Sequence, residues 1–98
     1  MGIFKSLSLS FQFMKLSPID VKRRILYKMA RKNLWGGKHT AYDEMWKRGL
    51  PQEHWADFRH ELDNLIKEGF VAKKPTGYGM HISLNVRMKA EIEKIIFE

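Results

Sequence analysis

Apolar residues recur at helical spacing along much of this chain and at strand spacing in two short runs. The clearest helix carries Trp55, Phe58, Leu62, Leu65 and Ile66 on one face. It is expected to begin near Pro51 or Gln52 and to stop at Gly69, where a residue without Cβ takes the left-handed turn and Phe70 folds back onto the last apolar turn. Beyond it, Phe70 and Ala72 alternate with Val71 and Lys73, and Met80, Ile82 and Leu84 alternate with His81 and Ser83. That is the period of half-buried strands. Between the runs, Pro75-Thr76-Gly77-Tyr78-Gly79 supplies a preset φ and two permissive positions, which predicts a hairpin turn.

Two helices are expected ahead of this unit. Ser17 is placed as an N-cap, Pro18 as the first helical residue and Asp20 as a first-turn acid, so a helix starts at Pro18. Ile25, Leu26, Met29 and Ala30 form its apolar face, and Trp35-Gly36-Gly37 marks its end. Thr40 then repeats the capping logic for a short helix with Ala41, Met45 and Trp46 turned inward, running to Arg48 and stopped by Gly49. Leu50-Pro51 leads straight into the long helix, so the second and third helices form a helix-turn-helix unit. After the hairpin, Asn85 is placed to cap a last helix whose stripe of Met88, Ile92, Ile95 and Ile96 either closes over its own core or builds a dimer interface.

The chain thus divides into an apolar arm over 1–16, a central unit over 17–84 and a terminal helix over 85–98. In the arm, Leu7, Leu9, Phe11 and Phe13 alternate with Ser8, Ser10 and Gln12, while Ile3, Phe4, Leu7, Phe11 and Met14 fit a helix nearly as well. Burying each such side chain contributes roughly 1.5–3 kcal/mol, so the arm is expected to dock on its own domain or on a second subunit.

From Pro18 to Leu84 the order of helix, two further helices and two-stranded hairpin resembles winged helix-turn-helix domains, and the resemblance implies a short strand near Lys38 and His39. In style it is similar to the small archaeal-type winged-helix proteins, and Ile82-Ser83-Leu84-Asn85 resembles the exit of their wing. The resemblance implies an α+β, mainly α fold in which the third helix enters the major groove and the wing touches backbone or minor groove, often in a symmetric homodimer. Carried onto this sequence, it puts base contacts on Gln52, His54 and Arg59, with His60 exposed on the same helix. Wing contacts fall to Lys73, Lys74, Thr76, Tyr78 and His81. Apart from the resemblance, the concentration of basic residues in the first helix makes Arg23, Arg24 and Lys28 candidates for lying on a phosphate backbone, RNA in particular.

Composition narrows the chemistry. The 98 residues, 44% hydrophobic, suit one domain with one core. Zero cysteines exclude disulfides and Cys-based zinc sites, and His54 and His60 do not share a helix face, so no metal or cofactor is expected. Gly36-Gly37-Lys38-His39-Thr40 precedes a helix but lacks the glycine spacing of a P-loop. No nucleophile, base and orienter set is visible, and an enzyme is not expected. No apolar run reaches a membrane-spanning length, which together with the missing cysteines places the expected site of action in the cytoplasm.

The net charge of +7 favours an anionic partner. From Asp20 to Arg48 nine bases face three acids, whereas from Gln52 to Gly69 five acids face two bases, leaving the third helix at about −3. The expectation is a non-catalytic nucleic-acid-binding protein: a small transcription regulator on duplex DNA, acting as a homodimer. The alternatives are an RNA- or ribosome-associated winged helix and a protein-interaction module.

Overall fold

The first helix, α1 (Pro18–Arg31), starts where capping chemistry places it, with the Ser17 hydroxyl accepting the Asp20 backbone N–H at 3.3 Å. The computed structural model describes residues 16–98, so the arm and its expected docking lie outside the described residues save for Leu16, which packs against the core. Helix α1 buries Val21, Ile25, Leu26 and Met29. It ends at Arg31, short of the expected stop at Trp35-Gly36-Gly37. The cause is Asn33, which takes a φ of +60°. Its N–H bonds back to the Ala30 carbonyl at 2.9 Å and that of Leu34 to Met29 at 3.0 Å, which turns Leu34 into the core.

Strand β1 (Thr40–Ala41) follows, two residues beyond the strand expected at Lys38 and His39. Thr40 is therefore not a helix cap. Its backbone pairs with Ile82, and α2 (Tyr42–Trp46) begins after Ala41 without a side-chain cap. This helix buries Met45 and stops at Trp46 rather than Arg48, with Gly49 at φ +77° closing the turn.

A single 3-10 turn over Gln52–His54 opens α3 (Trp55–Lys67), which buries Phe58, Leu62 and Leu65 as its periodicity predicts. Its end is the expected one. Gly69 sits at φ +86°, its N–H bonding Ile66 at 3.2 Å, while the Phe70 N–H bonds Leu65 at 3.0 Å. Strands β2 (Val71–Thr76) and β3 (Gly79–Leu84) then form the hairpin. Its turn is tighter than expected: Pro75 pairs with Met80 and Thr76 with Gly79, which leaves Gly77 and Tyr78 as the loop.

The result is an α+β, mainly α chain: helices followed by a three-stranded antiparallel sheet of order β1-β3-β2, an arrangement compatible with a winged helix. Ile82 and Leu84 face the core, and Ser83 on the opposite face is fully buried too, so the base of β3 is covered on both sides. Asn85 accepts from the Arg87 N–H and opens a short 3-10 turn (Val86–Met88) before α4 (Lys89–Phe97). The apolar stripe of α4 closes over its own core: Ile92 is fully buried, with Met88, Ile95 and Ile96 packed alongside.

Substituting Gly69→Ala tests the helix stop. A Cβ there meets nothing within 4 Å, so only the left-handed backbone resists it. Urea unfolding should show a loss of about 1–2 kcal/mol, while Asn33→Gly should be close to neutral. A neutral Gly69→Ala would contradict the assignment.

Candidate nucleic-acid interface

The exposed face of α3 is not the acidic surface that its composition suggests. Ala56, Arg59, His60, Asp63 and Lys67 follow the i, i+3, i+4, i+7, i+11 spacing of one face, and all are exposed. Asp57, Glu61, Asn64 and Glu68 run along a second ridge, one residue ahead and hence about 100° round the helix. On that ridge Glu61 is 7% exposed and accepts from the Asn64 amide at 3.1 Å. Glu68 meets α1, where both its oxygens accept from the Lys22 ammonium at 2.9 and 3.0 Å. The fifth acid, Glu53, is exposed in the 3-10 turn. The outward stripe therefore carries Arg59 and Lys67 against Asp63.

Asp63 is itself engaged. The Tyr42 hydroxyl of α2 donates to it at 2.6 Å. Tyr42 also opens an aromatic corner in which it meets Trp46 edge-on with ring centroids 6.5 Å apart, and Trp46 meets Trp55 at 5.8 Å. The indoles are anchored, Trp46 donating to Asp43 at 3.1 Å and Trp55 to the Leu50 carbonyl at 2.9 Å. The Arg59 guanidinium lies over the Trp46 ring at 5.5 Å, and the Lys47 ammonium is 5.2 Å from Trp46 and 5.7 Å from Trp55.

Between α3 and β2 lies a groove lined by His60, Asp63, Asn64, Ile66, Lys67 and Lys73. It brings together two residues singled out from sequence, His60 and Lys73, and adds Lys67. That lysine was missed, although its position seven residues after His60 places it on the same face. Gln52 and Tyr78 are exposed, Tyr78 at the hairpin tip with 95% of its surface open.

Other sequence candidates are differently employed. The His54 side chain is only 19% exposed, its Nε2 lying 4.0 Å from the Glu53 carboxylate. Thr76 closes the hairpin, its hydroxyl donating to Gly79 at 2.8 Å and accepting from the Tyr78 N–H at 3.1 Å. Lys74 is half-buried on the other sheet face. Arg23 ties α1 to α4, donating to the Ile95 carbonyl at 2.9 Å and to Asp20 at 3.1 Å. Lys28 donates to the Arg48 carbonyl at 2.9 Å. Burial, and then the cations Lys32, Arg48 and Arg31, push its ammonium below the ordinary 10.5, with Glu44 pulling the other way. Arg24 is exposed between them.

Comparison with family models, with curated proteins and with solved structures finds no match for this chain. The functional reading therefore rests on its own geometry. Among the described residues no group of three or more His, Cys, Asp or Glu could hold a metal ion, and no helix is long and apolar enough to cross a membrane.

The link between Tyr42 and Asp63 has a defined pH range. Burial and then Asp63 raise the phenol above its ordinary 10.0, with Arg59 opposing. A folded-state value above the unfolded one gives a contribution that is complete below about pH 10 and is lost as pH rises past the folded value. The Tyr42→Phe variant should thus lose about 1 kcal/mol, the bond being solvent-exposed, and the deficit should stay constant from roughly pH 7 to 9 in denaturant titrations.

Proposed function

We propose that this protein is a winged-helix nucleic-acid-binding protein without catalytic activity, with duplex DNA as its ligand and transcriptional regulation as its role. One observation carries the reading. The outward stripe of α3 is separated from the acidic ridge and continues across a groove to Lys73 on the hairpin, so a helix and a wing present positive charge to one side. The width of a duplex major groove admits such a helix, with the hairpin beside it on the backbone. Gln52 and Arg59 are the base-reading candidates, and Lys67, Lys73 and the exposed Tyr78 the backbone ones.

Fluorescence anisotropy with a labelled duplex tests this. Affinity should fall steeply with salt, and Lys67→Ala with Lys73→Ala should lower the slope of log K against log salt by about 2, weakening all sequences alike. Arg59→Ala should relax the preference among duplexes selected from a random pool. Salt-independent binding, or none, would overturn the proposal.

The cations Lys32, Arg48 and Arg31 gather around Lys28 closely enough to depress it, and this cluster favours a second reading in which the end of α1 lies on an RNA backbone. Arg31→Glu with Lys32→Glu separates the two, since it should abolish binding to structured RNA and leave the α3-dependent duplex affinity largely intact.

A homodimer would use the face where Tyr27 and Phe97 remain 50% and 79% exposed beside Trp35 and Ile96. This face carries Arg31 and Lys89 together with Glu93, so under a twofold axis the cations of one copy can meet the acid of the other. Phe97→Glu should shift sedimentation equilibrium toward monomer; a monomeric wild type would remove the dimer from the reading.

A further inference from the structure

Two histidines that lie 42 positions apart in the chain meet on the outer face of the sheet, with His39 Nδ1 and His81 Nδ1 2.9 Å apart. Their rings stand edge to face with centroids at 4.9 Å. His39 immediately precedes β1. His81 lies on the central strand, on the face opposite the buried Ile82 and Leu84, with Ala41 as its partner on β1 and Lys74 on β2. Cross-strand partners project from the same face, so the Lys74 side chain stands beside the pair. The charged residues that chain and register place beside the pair are Lys38, next to His39 in the preceding loop, and Lys74 on β2. The residues of β1 itself, Thr40 and Ala41, are uncharged.

At 2.9 Å one Nδ1–H donates to the lone pair of the other ring. A proton added to the pair goes to the free Nε2 of the donating ring and leaves this bond intact, so that both rings then present an Nε2–H to an anion. A metal ion is poorly served there, with an ammonium alongside and no third ligand of the His, Cys, Asp or Glu type among the described residues. An oxyanion is well served, because it can accept from both imidazoles and from Lys74 in charge-assisted bonds.

We propose that His39, His81 and Lys74 form a phosphodiester contact on the outer sheet face, and that the histidine pair takes up a proton when it engages. This rests on the nucleic-acid reading above and adds a site that the α3 groove does not contain. The bound state holds more protons than the unbound one, so affinity rises as pH falls, by up to tenfold per pH unit for each proton taken up.

The test uses the full chain, a labelled duplex and constant ionic strength between roughly pH 8 and 5.5, the range over which histidine changes charge. Wild type should bind about tenfold tighter at the acid end, and His39→Asn and His81→Asn should each cut that gain to about threefold or less. Lys67→Ala, which alters the α3 groove without removing a histidine, should weaken binding at every pH and retain the tenfold gain. Thermal melts of each variant confirm folding. If wild type and His39→Asn bind with the same pH slope, the proposal is overturned while the functional reading stands. If wild type binds no duplex at any pH, the functional reading falls, and the site is judged with inorganic phosphate alone. Phosphate-induced shifts of the His39 and His81 imidazole resonances in NMR spectra, with a raised titration midpoint, would support an anion site; unmoved resonances would overturn it.

Discussion

The rest of the structure depends on the backbone of Leu84. Its N–H donates to the Leu34 carbonyl at 2.7 Å, and its own carbonyl accepts from Gly36 at 3.1 Å. On its other side it is the register partner of Val71, and its side chain is fully buried. One residue on, the Asn85 N–H bonds the Phe70 carbonyl at 3.0 Å and its amide the Gly69 carbonyl at 2.8 Å. The exit of β3 is thus clamped between the loop after α1 and the connection from α3 into β2. Buried backbone groups that lose such partners cost about 1–3 kcal/mol each, so the clamp resists sliding. Its consequence reaches the surface: with the hairpin base held against the end of α3, Lys73 is fixed across the groove from His60 and Lys67.

The local signals were legible in the sequence because local chemistry decides them. The Ser17 cap, the Gly69 stop with Phe70 folding back, and the Asn85 cap each depend on residues within a turn of one another. The same chemistry misread two places. Asparagine can take the left-handed conformation that the glycines advertised, and Asn33 ended α1 before Gly36 could. Thr40 looks like a cap from its neighbours, but a ladder with Ile82, far along the chain, claims its backbone first. The approach of His39 to His81 had no local signal at all, whereas Lys67 did, and helical spacing from His60 would have found it.

Charge was the most misleading feature when counted rather than placed. The −3 of the stretch from Gln52 to Gly69 reads as a poor surface for nucleic acid, yet Glu61 is buried against Asn64 and Glu68 is matched by Lys22. The basic count of α1 argued for a contact surface, yet Arg23 and Lys28 spend their donors on the Ile95 and Arg48 carbonyls, holding α4 and the end of α2 in place. Helix periodicity explains both, since residues one position apart point about 100° from each other and a net charge sums over faces that meet different surroundings.

The aromatic corner joins this charge placement to the proposed binding. An exposed arginine ordinarily loses much rotamer freedom when it engages a ligand, a cost of roughly 0.5–1.5 kcal/mol for such a side chain. Arg59 has surrendered part of that freedom already, because its guanidinium rests on Trp46, which is itself pinned by Asp43 and braced by Trp55. Tyr42 meanwhile holds Asp63 by its carboxylate, which withdraws the nearest acid of the stripe from competition for the same cations. The packing that sets the angle between α2 and α3 is therefore the packing that presents Arg59, and a substitution that loosens Trp46 acts on fold and surface together.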